Sequence, residues 1–182
     1  MPKRFQSRLT DPQLSGDLVA ELSAGDQAAA ARSIMLRRLT GAPRTRSELA
    51  ATLRERGIPD EVAEVALDRF VEVGLIDDAA FANRFVTSRG IGHGRRTLKA
   101  ELRRRGIPDE IGEPALAGLS SETEREAALA LARRRARSTS QLPPAVRERR
   151  LLGQLLRRGY SSSLAIGVVR QILGEIDSPE VS

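Results

Sequence analysis

The chain has 182 residues, no cysteine, 30% charged residues and only 3% aromatic ones. Disulfides and thiolate metal sites are therefore excluded, and nothing points to an oxidising compartment. The net charge is +6, and no apolar run is long enough for a signal peptide or a membrane span, so a cytoplasmic protein is expected.

Ala, Leu, Arg and Glu dominate, which is a helix-forming composition. Residues 1–25 mix Pro2, Pro12, Ser15 and Gly16 with scattered charge and read as a flexible N-terminal arm. Residues 26–74 then read as a first three-helix repeat. Asp26 is the expected N-cap of a helix through Ile34, Met35 and Leu39 to about Thr40, stopped by Gly41 and Pro43. Thr45 and Glu48 form a T-x-x-E capping box that opens a second helix carrying Leu49 and Leu53. Gly57 suits a left-handed C-terminal cap. Pro59 is the expected first residue of a third helix, where its missing N–H costs nothing, with Asp60 and Glu61 in the electropositive first turn. Val62, Val65, Ala66, Phe70 and Val73 are its expected buried face, and Gly74 ends it.

Residues 75–119 read as a second such repeat. Asp77 caps a helix with Phe81, Phe85 and Val86 on its apolar side, and Gly90, Gly92 and Gly94 interrupt the chain before Arg95. In the helix from Arg95 to Arg105, Leu98 and Leu102 point inward, while Arg96, Lys99 and Arg103 fall at i, i+3 and i+7 on another face. Pro108 opens the next helix as Pro59 does, and Pro114 inside it should kink or shorten it. Residues 120–176 read as a third repeat. Ser121 and Glu124 suggest a capping box for a helix reaching Arg137, and Ser138 to Pro144 is a loop. Val146, Leu151, Leu152 and Leu155 then lead to Gly159. Ser161 caps a last helix with Leu164, Val168, Val169, Ile172 and Leu173 inward, and residues 177–182 read as a frayed tail.

An internal repeat underlies this division. Leu49, Leu53, Gly57, Ile58, Pro59, Asp60, Glu61 and Leu67 return 49 residues later as Leu98, Leu102, Gly106, Ile107, Pro108, Asp109, Glu110 and Leu116. A fainter copy, 53 residues further on, places Leu151, Leu155, Gly159, Tyr160, Leu164 and Val168 in the same slots. Such a period means stacked helical units, each too small to be stable alone. The expected fold is an all-α, elongated tandem array of three three-helix, helix-turn-helix-like repeats.

No catalytic constellation is visible, and no enzyme, metal site or cofactor is expected. His93 is the single histidine, so no Ser–His–Asp or Cys–His machinery can be assembled. The run Gly90–Gly94 lacks the Gly-Lys-Ser/Thr end of a phosphate loop and reads as a joint between helices, although free N–H groups at the start of the Arg95 helix could meet an anion. Asp77 and Asp78 read as helix-start residues, and Phe81, Phe85 and Tyr160 as core.

Charge is what remains. Residues 1–83 carry a net charge of −2, residues 84–105 carry +7 and residues 133–158 carry +8. Lysine occurs only at Lys3 and Lys99, so nearly all the positive charge is arginine, the better residue for bidentate phosphate or carboxylate contacts. The candidate partner-binding residues are Arg89, Arg95, Arg96, Lys99, Arg103 and Arg104 in one block and Arg133, Arg134, Arg137, Arg149, Arg150 and Arg157 in the other. They suit a polyanion or an acidic protein surface, and no set of Asn or Gln side chains spaced for base-specific readout accompanies them. Reversal of Arg96, Lys99 and Arg103 to Glu is expected to weaken partner binding and leave helicity unchanged.

The run GLIDDAAFANRFVTSRGIGHGRRTLKAELRRRGIP, Gly74 to Pro108, and the upstream TRSELAATLRERGIPDEVAEVALDRFVEVGLIDD resemble the signature of the bacterial RecX family. The likeness covers roughly residues 30–175, strongest in the first two repeats; the N-terminal arm and Pro114 depart from it. It implies a non-enzymatic modulator built of tandem three-helix units. Such a protein would bind the recombinase RecA and the RecA nucleoprotein filament, lie in the filament groove and restrain ATP hydrolysis, strand exchange and co-protease activity. Single-stranded DNA phosphates would be secondary partners, and a monomer is expected. The competing readings of the residues are a stand-alone helix-turn-helix-like DNA- or RNA-binding protein and a helical scaffold with no nucleic-acid role.

Overall fold

The structure, a computed structural model, describes residues 23–177. Among them every regular element is an α-helix: α1 (Ala24–Gly41), α2 (Arg46–Glu55), α3 (Asp60–Glu72), α4 (Asp78–Arg89), α5 (Arg95–Arg104), α6 (Asp109–Ala117), α7 (Ser121–Arg137), α8 (Pro144–Arg157) and α9 (Ser162–Asp177). These are three successive trios. The expected arm and tail fall outside the described residues, apart from Ser23–Gly25 and Asp177. Ala24 and Gly25 already belong to α1, so helix replaces arm there.

Two compact units divide the chain. One comprises residues up to Phe81 with Arg105–Ile107; the other comprises Ala82–Arg104 and residues from Pro108 onward. In the first unit α1, α2 and α3 pack on one another around Met35, Leu49, Leu53, Ile58, Leu67, Phe70 and Ile76. Apolar residues repeating every third or fourth position create that buried stripe. In the second unit α7, α8 and α9 enclose Leu131, Leu151, Leu155, Tyr160, Val168 and Ile172, and α5 packs on α6. Each fully buried leucine contributes roughly 1.5–3 kcal/mol.

The repeated glycine explains how each second helix ends. Gly57, Gly106 and Gly159 have φ of 74°, 76° and 85°, a left-handed conformation that costs a side chain dearly. The next residue, Ile58, Ile107 or Tyr160, drops into the core in all three copies. Its N–H, in the first and third copies, bonds back to Leu53 or Leu155.

Several expected details differ. The cap of α1 is Ser23, whose Oγ accepts from the Asp26 N–H at 3.2 Å, so Asp26 lies in the first turn rather than at the cap. Along α3 the buried residues are Ala63, Leu67 and Phe70, whereas Val65 is 72% exposed and Val73 50% exposed. Phe70 is buried as expected, and the expected Val62 and Ala66 pack against the same core, so the stripe runs Val62, Ala63, Ala66, Leu67 and Phe70 and leaves Val65 and Val73 outside it. The cap of α7 is Ser120, which accepts from the Thr123 N–H at 3.0 Å; Ser121 is the first helical residue. Pro114 does accompany a short helix, since α6 has 9 residues where α3 has 13.

Candidate functional site

The capping box of α2 is present: Thr45 Oγ1 accepts from the Glu48 N–H, and Glu48 returns to the Thr45 N–H. Thr45 also donates its hydroxyl hydrogen to the Arg105 carbonyl at 2.7 Å. The Arg105 guanidinium reaches Glu48 at 2.7 Å and lies over the Phe81 ring. Asp78 accepts from the Arg46 N–H at 2.9 Å, which places a carboxylate on the positive end of α2. Burial pushes the Asp78 carboxyl up, against the Arg46 N–H bond, which favours the ionised form.

The second unit uses the same device. Glu124, buried to 8% exposure, accepts from the Arg95 N–H at 2.9 Å and from Arg95 Nε at 3.1 Å. Glu124 is therefore not the capping-box partner of Ser121; it caps α5, 29 residues away. The rest of the Arg95 guanidinium donates to the Leu116 and Leu119 carbonyls, so every group of Arg95 is spent inside the chain. The Arg96 N–H donates to the Gly159 carbonyl and the Gly94 N–H to the Arg158 carbonyl. The start of α5 is thus supplied with internal acceptors, and the expected welcome for an outside anion there is gone. His93 is a loop residue held between the Arg89 carbonyl and the Arg158 guanidinium.

Ion pairs sort the arginines further. Lys99 contacts Asp109 at 3.3 Å and also Glu113, and Arg103 grips Asp109 through Nε at 2.8 Å and through Nη2. The Arg103 hydrogen bond, helped by Lys99, holds the Asp109 carboxyl down at about 2. Arg133 is tied to Glu175 at 3.1 Å. Arg104 has only a 3.7 Å contact with Glu101 on its own helix. Arg89, Arg96, Arg134, Arg137, Arg149, Arg150 and Arg157 are exposed and have no acidic partner among the described residues. A charge reversal at Lys99 or Arg103 would thus set acid against acid, so the triple change expected to be structurally silent is not a clean probe.

The second unit brings the two basic blocks of the sequence together. A groove of about 550 Å³ is lined by Arg96, Thr97, Ala100, Glu101 and Arg104 of α5 and by Leu156, Arg157 and Gly159 at the end of α8. Two glycines permit this approach. A Cβ on Gly94 would overlap the backbone of Gly159 and Tyr160, and one on Gly159 would overlap Thr97. The groove's chemistry is three guanidiniums against a single carboxylate, a track for phosphates or acidic side chains. Sequence spacing carries no signal for this meeting, because Arg96 and Arg157 are far apart in the chain. Among the described residues, no group of His, Asp or Glu is arranged to hold a metal, and no helix is long and apolar enough to cross a membrane.

Three consecutive family models match this architecture: the first, second and third three-helix domains of RecX, over residues 31–70, 77–116 and 122–169. The chain belongs to the RecX family. Regulatory protein RecX of Thermobifida fusca is 51% identical over 160 residues, covering 85% of this chain and 86% of that protein. Regulatory protein RecX of Streptomyces coelicolor is 49% identical over 147 residues, covering 80% and 78%. A crystal structure of regulatory protein RecX superposes with a TM-score of 0.75 at 30% identity, covering 94% of this chain and 85% of the other. That of RecX from Lactobacillus salivarius gives 0.76 at 23% identity, covering 81% and 97%, a likeness of fold. The all-α, three-by-three helix architecture is therefore that of RecX, and its relatives are named as regulators rather than for a reaction.

Proposed function

We propose that this chain is a non-enzymatic, monomeric cytoplasmic regulator that binds RecA and RecA–single-stranded DNA filaments and restrains recombinase, ATPase and co-protease activity. Family membership supports the regulatory role. The observation that carries the mode of docking is the groove where Arg96, Arg104 and Arg157 converge. Guanidiniums held on rigid helices, with no strong internal acid to satisfy them, are ready to pair with carboxylates of a protein filament or with the phosphates beside it. Arg89, Arg134, Arg137, Arg149 and Arg150 extend the same positive field and steer association. Arg95, Lys99, Arg103 and Arg133 act behind them, fixing helices by their own ion pairs.

The test is the single-stranded-DNA-dependent ATPase of RecA, with this protein added well below DNA-saturating amounts. Inhibition is expected, and the triple variant Arg96→Glu, Arg104→Glu, Arg157→Glu should lose most of it while keeping its helical circular dichroism. Full inhibition by that variant would remove the groove from the mechanism. No inhibition by the parent protein, together with tight binding to naked duplex DNA, would instead favour a stand-alone helix-turn-helix-like nucleic-acid binder.

A further inference from the structure

A second positive site lies apart from the groove, inside the third trio. Arg147, on the first turn of α8, is only 6% exposed, yet its Nε and Nη2 have no hydrogen-bond partner. A buried guanidinium left unpaired is costly, and native proteins satisfy such groups with a partner, water or an ion. The two free atoms are informative. Nε–H and Nη2–H run parallel along one edge of the guanidinium, the edge that takes two oxygens of one oxyanion. That arginine lines a pocket of about 410 Å³ with Arg133 and Arg137 of α7, Ser140 of the following loop, and Ile172 and Glu175 of α9. Glu175 does not serve Arg147: it is held by Arg133 at 3.1 Å and by Gln171 at 2.9 Å, and the Arg133 bond keeps its carboxyl below the usual range.

We propose that this pocket binds a phosphate group, held by the Nε/Nη2 edge of Arg147 with Arg137 and Ser140 as further donors. Three guanidiniums against one carboxylate leave two positive charges, which match a phosphate better than a single carboxylate. The free edge of Arg147 is shielded from solvent, so a ligand reaches it only as the side chains lining the pocket rearrange. Ala136 and Ile172 supply an apolar wall for whatever organic group the phosphate carries. A free nucleotide and a nucleic-acid strand present the same phosphate oxygens, and the titrations below distinguish the two sources. The site does not depend on the RecA reading, since its logic is the unpaired charge alone.

The experiment is a thermal melt and calorimetric titration of the full chain with inorganic phosphate, pyrophosphate, dAMP and a short oligothymidylate, all at one ionic strength set by sodium chloride. The melting temperature of the parent protein should rise with phosphate and not with acetate. Arg147→Met should abolish that rise while melting in chloride no lower than the parent, because it removes a buried unpaired charge. Arg137→Ala should weaken phosphate binding by about tenfold, and Arg170→Ala, exposed on α9 outside the pocket, should not. Tighter binding of dAMP assigns a free nucleotide; tighter binding of the oligonucleotide, lost in Arg147→Met, assigns a strand. An equal response to acetate, an equal loss in Arg170→Ala, or an undiminished response in Arg147→Met would overturn the site. Should Arg147→Met fail to fold, the contrast between Arg137→Ala and Arg170→Ala decides alone.

Discussion

Helices α5 and α8 fill the same slot in successive repeats, and both are crowded with arginine, yet their charges meet different fates. Facing α5, the helix α6 presents Asp109 and Glu113, which engage Lys99 and Arg103. In α9 the corresponding positions hold Ser162 and Ile166, and Arg149, Arg150 and Arg157 of α8 have no acidic partner among the described residues. Counting basic residues along a chain therefore overstates the positive surface of one helix and describes the other well. What decides is the acid on the helix that follows.

The two helices also meet along the groove, and the largest expected effect comes from separating them. Gly94→Ala puts a Cβ into the Gly159–Tyr160 backbone, which cannot yield as a flexible side chain could. It should cost about 3 kcal/mol in chemical denaturation and loosen the groove. Next comes Glu124→Ala, which strips the α5 start and Arg95 of a buried acceptor. A loss of about 2 kcal/mol in the same assay is expected, and an unchanged midpoint would deny Glu124 its capping role. A gain should follow from Tyr160→Phe. The Tyr160 hydroxyl is buried without a partner, in a slot that holds isoleucine in the other two repeats, so its removal should stabilise by about 1 kcal/mol.

The smallest effect sharpens the contrast directly. Asp109→Asn with Glu113→Gln frees Lys99 and Arg103, making α5 resemble α8. Binding to single-stranded DNA at low salt should tighten roughly threefold, with a salt slope steeper by about one unit. The same pair sets an acid dependence. Because the Asp109 carboxyl is depressed to about 2, its contribution is complete above the ordinary carboxyl range and disappears as pH falls through 2. Asp109→Asn should accordingly lose less of its melting temperature between pH 4 and pH 2 than the parent chain does.

Local signals in this sequence were reliable where the physics is local. Glycine stops and the Thr45–Glu48 box each depend on neighbours within a few residues, and each stands as read; Pro59 and Pro108 lie one position earlier than expected, as the caps of α3 and α6 rather than their first residues. The true caps are Ser23, three positions before Asp26, and Ser120, one before Ser121, since several residues near those ends can cap. Val62, Val65 and Val73 look alike in the sequence, and only packing separates the first, which lies against the core, from the two exposed ones. The largest omissions were tertiary: the bond from Glu124 to Arg95, the grip of Asp109 and Glu113 across the α5–α6 turn, and the unpaired edge of Arg147 all depend on how helices pack. The groove itself combines segments that composition treats as separate blocks.

The bond from Glu124 to the start of α5 also bears on how the chain melts. Residues 77–116 and 122–169 are separate stretches by family pattern, but the second stretch supplies the carboxylate, and the Arg158 and Gly159 carbonyls, that the first requires. A fragment cut near residue 120 would leave orphaned amides where α5 begins. Hydrogen exchange in α5 should then track the unfolding of α7 and α8, one cooperative transition spanning two evolutionary modules.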